Sequence, residues 1–216
     1  MEPVPSPERT DDGGPVLLRV DSSPRSGSST RLLTEAYVDA WSARHPDGRI
    51  VHHDLPALNL PHLGSTEMGA WFAEPAEHTE LHELVLARST GLIEDLLAAD
   101  ELVIGAPMWN LSIPSSLKCW IDHVVKAGRT ISFGEHGPEG MVTARRAVVM
   151  CSRGSEYLPG SPAGALDQQE PYLRIILGFL GIADVRFVVA ERQGPNYPDG
   201  ATVLAAARAE AVDLVA

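Results

Sequence analysis

The sequence predicts an α/β fold, a parallel sheet with helices packed on both faces. Short apolar runs recur at Val16–Val20, Leu102–Ala106, Ala147–Cys151 and Val185–Ala190. Continuous runs of this kind mark strands buried on both sides. Segments of helical period lie between them, long enough to serve as crossovers. Small or polar residues stand at the end of three of the predicted strands, and in an open α/β sheet ligands sit at that end.

Met1 to Pro15 is rich in proline, acidic residues and glycine, without apolar periodicity, and predicts a disordered leader ahead of one domain over 16–216. Val16–Val20 is the first strand, and Asp21 to Thr30 the loop after it. Leu33, Ala36, Tyr37, Ala40 and Trp41 then fall on one helical stripe, which Pro46-Asp-Gly48 ends. Ile50 to Leu55 is a second strand. Leu58 to Glu77, broken by prolines and Gly64, is either a long excursion or a loop with a short helix. Thr79 to Ala98 regains helical period and crosses Gly91 as one helix or two.

The central strand is Leu102–Ala106, with β-branched Val103 and Ile104; Pro107 stops it, having no N–H for the ladder. A helix follows from about Pro114 to Val125. Glycines and a proline between β-prone residues make Thr130 to Thr143 a hairpin or flap. Ala147–Cys151 is the fourth strand, Gln168–Leu180 a helix, Val185–Ala190 the fifth strand and Ala201–Val215 an alanine-rich final helix. Five strands alternating with helices imply right-handed crossovers and a flavodoxin-like, doubly wound order, whose ligand lies beside the first strand.

Composition narrows the function. Hydrophobic residues are 44% of 216, as in globular domains, so a sizeable core is available. No apolar run reaches membrane-spanning length, and the N-terminus lacks a secretory pattern. Two cysteines, Cys119 and Cys151, give no disulfide framework. These features predict a cytoplasmic address. A net charge of −12 argues against nucleic acid, which is bound by neutralising phosphates with lysine and arginine.

Chemistry concentrates in three loops. Ser22-Ser-Pro-Arg-Ser-Gly-Ser-Ser-Thr30 opens the first helix, where hydroxyls, free amides and Arg25 make a phosphate cradle. It matches neither the P-loop nor the G-x-G-x-x-G pattern, so a single terminal phosphate suits it better than a dinucleotide pyrophosphate. Met108-Trp-Asn-Leu111 follows the central strand and offers an aromatic wall and an amide to a flat heterocycle. Cys151-Ser-Arg-Gly-Ser155 follows the fourth strand, and its small residues let backbone approach a flat ligand. Each loop alone reads as an ordinary turn; their convergence on one sheet edge does not.

Ala106-Pro-Met-Trp-Asn110, Ser115-Ser-Leu-Lys118, Gly137-Pro-Glu-Gly140, Ser152-Arg-Gly154 and Leu177-Gly-Phe-Leu-Gly-Ile182 together resemble the FMN-dependent NADH:quinone oxidoreductase/azoreductase family. The likeness runs from about Val16 to the C-terminus. It implies a homodimer with one FMN per subunit and NADH as donor, NADPH remaining open. By the same likeness, Ser23, Ser28, Ser29 and Thr30 bind the ribityl phosphate. Met108, Trp109, Asn110 and Leu111 line the ring, and Ser152, Arg153, Gly154 and Ser155 approach its pyrimidine side. Phe133, Trp71 and the Gly137–Gly140 flap are candidate walls of an acceptor pocket, with the partner subunit a possible source. The flavin carries the hydride chemistry, in ping-pong order, to quinones or azo compounds, and no protein nucleophile is implied. Where the family often has tyrosine and phenylalanine, this chain has Trp109 and Leu111, which bears on acceptor range. The serine loop is also one residue shorter than in some relatives. Two other readings share the fold: a flavin reductase, and an FMN electron carrier serving a protein partner. A flavin-free binding protein is a third.

Other polar clusters read as structure. His78 and His82 share a helix face without a third metal ligand in view. His52 and His53 point to opposite sides of a strand. Cys151 is a small core hydrophobe, and Arg145-Arg146 a solvated turn.

Overall fold

In a computed structural model, which describes residues 13–135 and 137–215, every position of the strand Glu101–Pro107 (β3) is buried. Its neighbours on one side are Val16–Asp21 (β1) and then Arg49–Asp54 (β2). On the other side lie Arg146–Ser152 (β6) and then Asp184–Ala190 (β7). All four pairings are parallel, and the order β2-β1-β3-β6-β7 is the flavodoxin-like one. Most of the predicted leader, residues 1–12, lies outside the described residues.

Alternation along β3 sends its side chains to two cores. Leu102, Ile104 and Ala106 join Leu18, Val20, Leu96, Leu117, Trp120 and Leu173. Leu18 and Val20 belong to β1, and the other four come from the helices Glu80–Ala98 (α4), Ser115–Val124 (α5) and Glu170–Phe179 (α6). Val103 joins Leu17, Leu33, Tyr37, Trp41, Val148 and Ala207 on the opposite face, under Ser29–Arg44 (α1) and Gly200–Asp213 (α7). Gly105 also points to the α1 face. A Cβ there would stand 2.9 Å from Asp21 Oδ1 and 3.2 Å from Thr34 Cγ2, so the missing side chain lets α1 lie close on the strand.

The 58–77 stretch holds one helix of two turns, Ser65–Phe72 (α3), after the short Leu55–Leu58 (α2). Helix α4 runs through Gly91 unbroken. The expected hairpin is present as Ile131–Gly134 (β4) against Gly137–Gly140 (β5). Gly140 packs on Leu180 and Gly181 with no room for a side chain, and Val142 N–H donates to Leu180 O (3.0 Å), which roots the hairpin on the end of α6. Arg146 is no solvated turn: it opens β6, half-buried, and donates to Leu214 O at 2.6 Å.

Candidate active site

Three loops leave the C-terminal ends of β1, β3 and β6, which are adjacent in the sheet. The first is fixed from below. Ser22 donates to Gly105 O from N (3.1 Å) and from Oγ (2.6 Å), and Ser116 Oγ donates to Ser22 O (3.0 Å). Asp21, fully buried, accepts from Arg19 Nε (2.7 Å) and Thr34 Oγ1 (2.9 Å) and sits 3.0 Å from His52 Nε2. Ser23, Ser28 and Thr30 are buried at the loop, with the Ser28 and Thr30 hydroxyls 2.9 Å apart.

The start of α1 is open to an anion. Ser28 stands at its N-cap yet makes no capping bond, and no acidic residue occupies the first turn. The leading N–H groups of a helix lack intrahelical partners and carry its positive dipole end, so an uncapped start without a carboxylate suits an anion. Arg25 is exposed beside it.

The second loop is a tight reversal. Trp109 and Ser112 exchange both backbone bonds, at 2.9 and 3.1 Å, around Asn110 (φ 48°) and Leu111 (φ 71°). Two successive positive φ values make this a type I′ turn. Asn tolerates that region, whereas Leu pays about 1–2 kcal/mol for it. Strain of this sort persists where surrounding structure over-determines it, commonly at ligand sites. Trp109 is 45% exposed and Leu111 36% exposed, so the strand end carries an open apolar wall.

The third loop turns its charge inward. Arg153 is 1% exposed. Its Nη2 donates to Asp167 Oδ2 (2.9 Å), its Nη1 to Glu191 Oε1 (3.4 Å) and its Nε to Gln169 Oε1 (3.1 Å), with Glu170 Oε2 at 3.7 Å. Its backbone is engaged as well, N–H donating to Ala190 O (2.9 Å) and C=O accepting from Gln193 N–H (2.9 Å), so Arg153 shapes the loop from within. Ser155 Oγ is bonded to Tyr197 OH (2.8 Å), and Gly194 N–H donates to Gly154 O (3.0 Å). Met108 N–H donates to Ser152 O (2.8 Å), joining the second loop to the third. Sequence reading missed Asp167, Gln168, Gln169, Glu191 and Gln193 (the last accepts from Ser29 Oγ at 3.3 Å), polar residues in no recognisable motif.

Phe133 and Trp71 stand apart from this cluster in the same chain. Helix α5 starts at the site and leads away from it, and Trp71 lies beyond its far end, 5.3 Å from Lys126 Nζ over the ring. Phe133 is 70% exposed on the hairpin rooted on α6. His78 is taken up by Glu83 (3.1 Å) and meets the His82 ring edge-on. Among the described residues, no group of three or more His, Cys, Asp and Glu side chains is placed to hold a metal. No described helix is long and apolar enough to cross a membrane.

The donor set fits FMN. An uncapped, acid-free helix start with buried hydroxyls suits the terminal phosphate, and the exposed face of the Trp109–Ser112 turn suits a flat ring. Fold and site together define a flavodoxin-like protein. The family model described as flavodoxin-like fold matches residues 16–215, and the chain belongs to that family. It is 45% identical over 184 residues to FMN-dependent NADH:quinone oxidoreductase 3 of Pseudomonas aeruginosa, covering 84% of each chain. With the FMN-dependent NADH:quinone oxidoreductase of Azotobacter vinelandii it shares 46% over 176 residues, 82% of this chain and 86% of the relative. Among solved structures, an azoreductase from Bacillus anthracis superposes with a TM-score of 0.85 at 26% identity, over 93% of this chain and 98% of that one.

Proposed function

We propose that this chain is an FMN-dependent NADH:quinone oxidoreductase that also reduces aromatic azo compounds. The observation that carries the reading is the uncapped start of α1 beside the exposed Trp109–Ser112 turn, at the ends of adjacent parallel strands. Bound FMN supplies two-electron transfer between a nicotinamide donor and an oxidised acceptor. The chain's own work is binding and orientation. Amides of Ser29 and Thr30, with the Ser23 and Ser28 hydroxyls, hold the phosphate. Met108, Trp109, Asn110 and Leu111 wall the ring, and the loop of Ser152, Arg153, Gly154 and Ser155 meets its pyrimidine edge, with the Gly154 and Ser155 N–H groups as the donors suited to developing negative charge.

Phe133 and Trp71 belong to an acceptor pocket completed across a homodimer, which is consistent with their distance from the loops of their own chain. Residues 16–216 act as one domain behind a short leader, in the cytoplasm, on small-molecule quinones and azo compounds. NADH is the donor, with NADPH as the competing one.

The test is the visible spectrum of the purified protein with FMN. Anaerobic NADH should bleach the bound-flavin bands, and benzoquinone should restore them over many turnovers without a protein partner. Bound flavin that neither NADH nor NADPH bleaches would make the chain an electron carrier. Preferential transfer to free flavin would make it a flavin reductase. No flavin uptake would overturn the reading.

A further inference from the structure

The strained turn at Leu111 and the buried Arg153 are joined by one path through the segment that opens α6. Gln168 N–H donates to Leu111 O at 3.0 Å, inside the turn. Gln169 Nε2 donates to Ala106 O at 2.9 Å, close to the end of β3. The other end of the same amide is held by Arg153, whose Nε donates to Gln169 Oε1 at 3.1 Å. Asp167 completes the path: Oδ2 takes Arg153 Nη2 at 2.9 Å, and Oδ1 takes the N–H groups of Gln169 (2.8 Å) and Glu170 (3.2 Å).

The chemistry leaves the Gln169 amide a single orientation. A guanidinium only donates and a backbone carbonyl only accepts, so Oε1 must face Arg153 and the NH2 must face Ala106. Gln169 is fully buried, so neither partner can turn to water instead. A leucine at positive φ relaxes unless its surroundings forbid it. Here the fixed position of Gln168 and Gln169 forbids it.

We propose that Gln169, locked by Arg153, is a positioning residue: it holds the Asn110–Leu111 turn in the shape that receives the flat ring. The inference rests on the FMN reading above. It makes a residue without ligand contact set the affinity of the ring site, by way of backbone geometry.

The test is a double-mutant cycle read by FMN titration of the deflavinated full-length chain, following quenching of flavin fluorescence. Gln169→Glu keeps the acceptor for Arg153 but puts a carboxylate oxygen against Ala106 O, so it cuts the link while leaving Arg153 paired. The expected result is a dissociation constant raised about tenfold (about 1.4 kcal/mol). In a Leu111→Asn background, where positive φ is tolerated, the same change should raise it less than about threefold. Gln169→Met, uncharged and of similar length, is read in the same cycle and should show the same dependence on position 111.

Unchanged FMN affinity in both position-169 variants would overturn the proposal. An equal loss in the Leu111 and Leu111→Asn backgrounds would also overturn it, because a purely structural role for Gln169 would not depend on the turn. A wild-type chain that takes up no FMN would overturn the functional reading and this inference together.

Discussion

The Arg31 guanidinium grips the carbonyl oxygen of Ser23 from two nitrogens, Nε at 3.1 Å and Nη2 at 2.7 Å. It also donates to Asp54, at 3.1 and 2.7 Å, and lies 3.8 Å from Asp21 Oδ2. One side chain of α1 therefore fixes the loop that precedes α1 and ties it to the end of β2. Hydrogen bonds to a charged group are worth about 1.5–3 kcal/mol when well protected, and this site is partly exposed, so the lower end applies.

Arg31→Met should therefore raise the FMN dissociation constant about tenfold, measured by fluorescence titration. A pH signature accompanies it. The Arg31 hydrogen bond and charge hold the Asp54 carboxyl below its ordinary value. A lowered folded pKa contributes stability that is present above the unfolded value of about 3.9 and is lost as pH falls through the folded one. Urea midpoints of wild type and Arg31→Met should differ at pH 6 and converge as the carboxyl protonates; a constant gap down to pH 2 would refute the pairing.

Gly105→Ala probes the seat of α1. The new methyl would stand 2.9 Å from Asp21 Oδ1, with Thr34 Cγ2 and Thr30 Cβ at 3.2 and 3.6 Å. Overpacking of this kind costs about 1–3 kcal/mol. Displacement of α1 also moves its free N–H groups. Both the urea midpoint and FMN affinity should fall, and a variant that lost stability alone would separate the helix seat from the phosphate site.

Glu101 is buried at the other end of the sheet, where it accepts from the Tyr37 hydroxyl. Burial raises its pKa, against the opposing pull of Arg146 and Arg145. A raised folded pKa gives a contribution that is fully present below the unfolded value, about 4.3, and lost as pH rises through the folded value. Glu101→Gln removes that loss and keeps an acceptor for Tyr37. Its urea midpoint should exceed wild type at pH 8, with the difference vanishing near pH 4.

Both thiols should be inert in the folded protein. Burial pushes Cys151 up to about 12 and also raises Cys119, whose Sγ faces the Leu60 and Pro61 carbonyls. Reactivity follows the thiolate. An aromatic disulfide reagent at pH 8 should titrate neither thiol in native protein and both in urea. Rapid native labelling would contradict the burial.

Much of the fold was legible in the sequence because strand and helix periods are local properties. β3 and β6 announce themselves as apolar runs, and the Leu33–Trp41 stripe lies on the buried face of α1. β5 is different: Gly137-Pro-Glu-Gly140 has little strand propensity and is extended because β4 pairs with it. The serine loop and the Met108–Leu111 turn were visible as polar or aromatic residues at strand ends. The inward course of Arg153 was not. An arginine after a strand reads as solvent-facing, and only partners 14 to 38 residues further on make its burial tolerable. Gln168 and Gln169 were silent for the same reason, since their bonds to Leu111 and Ala106 span more than 50 residues.

The bonds made directly to the Trp109–Ser112 reversal are main-chain ones, two across the turn and one from Gln168. No hydrogen bond of this frame uses the side chains at 109 and 111. Under the proposed function, exchanging them would widen or narrow the range of acceptors while the hydrogen-bonded frame beneath keeps its partners. Diversification of chemistry and preservation of shape fall to different atoms of the same four residues.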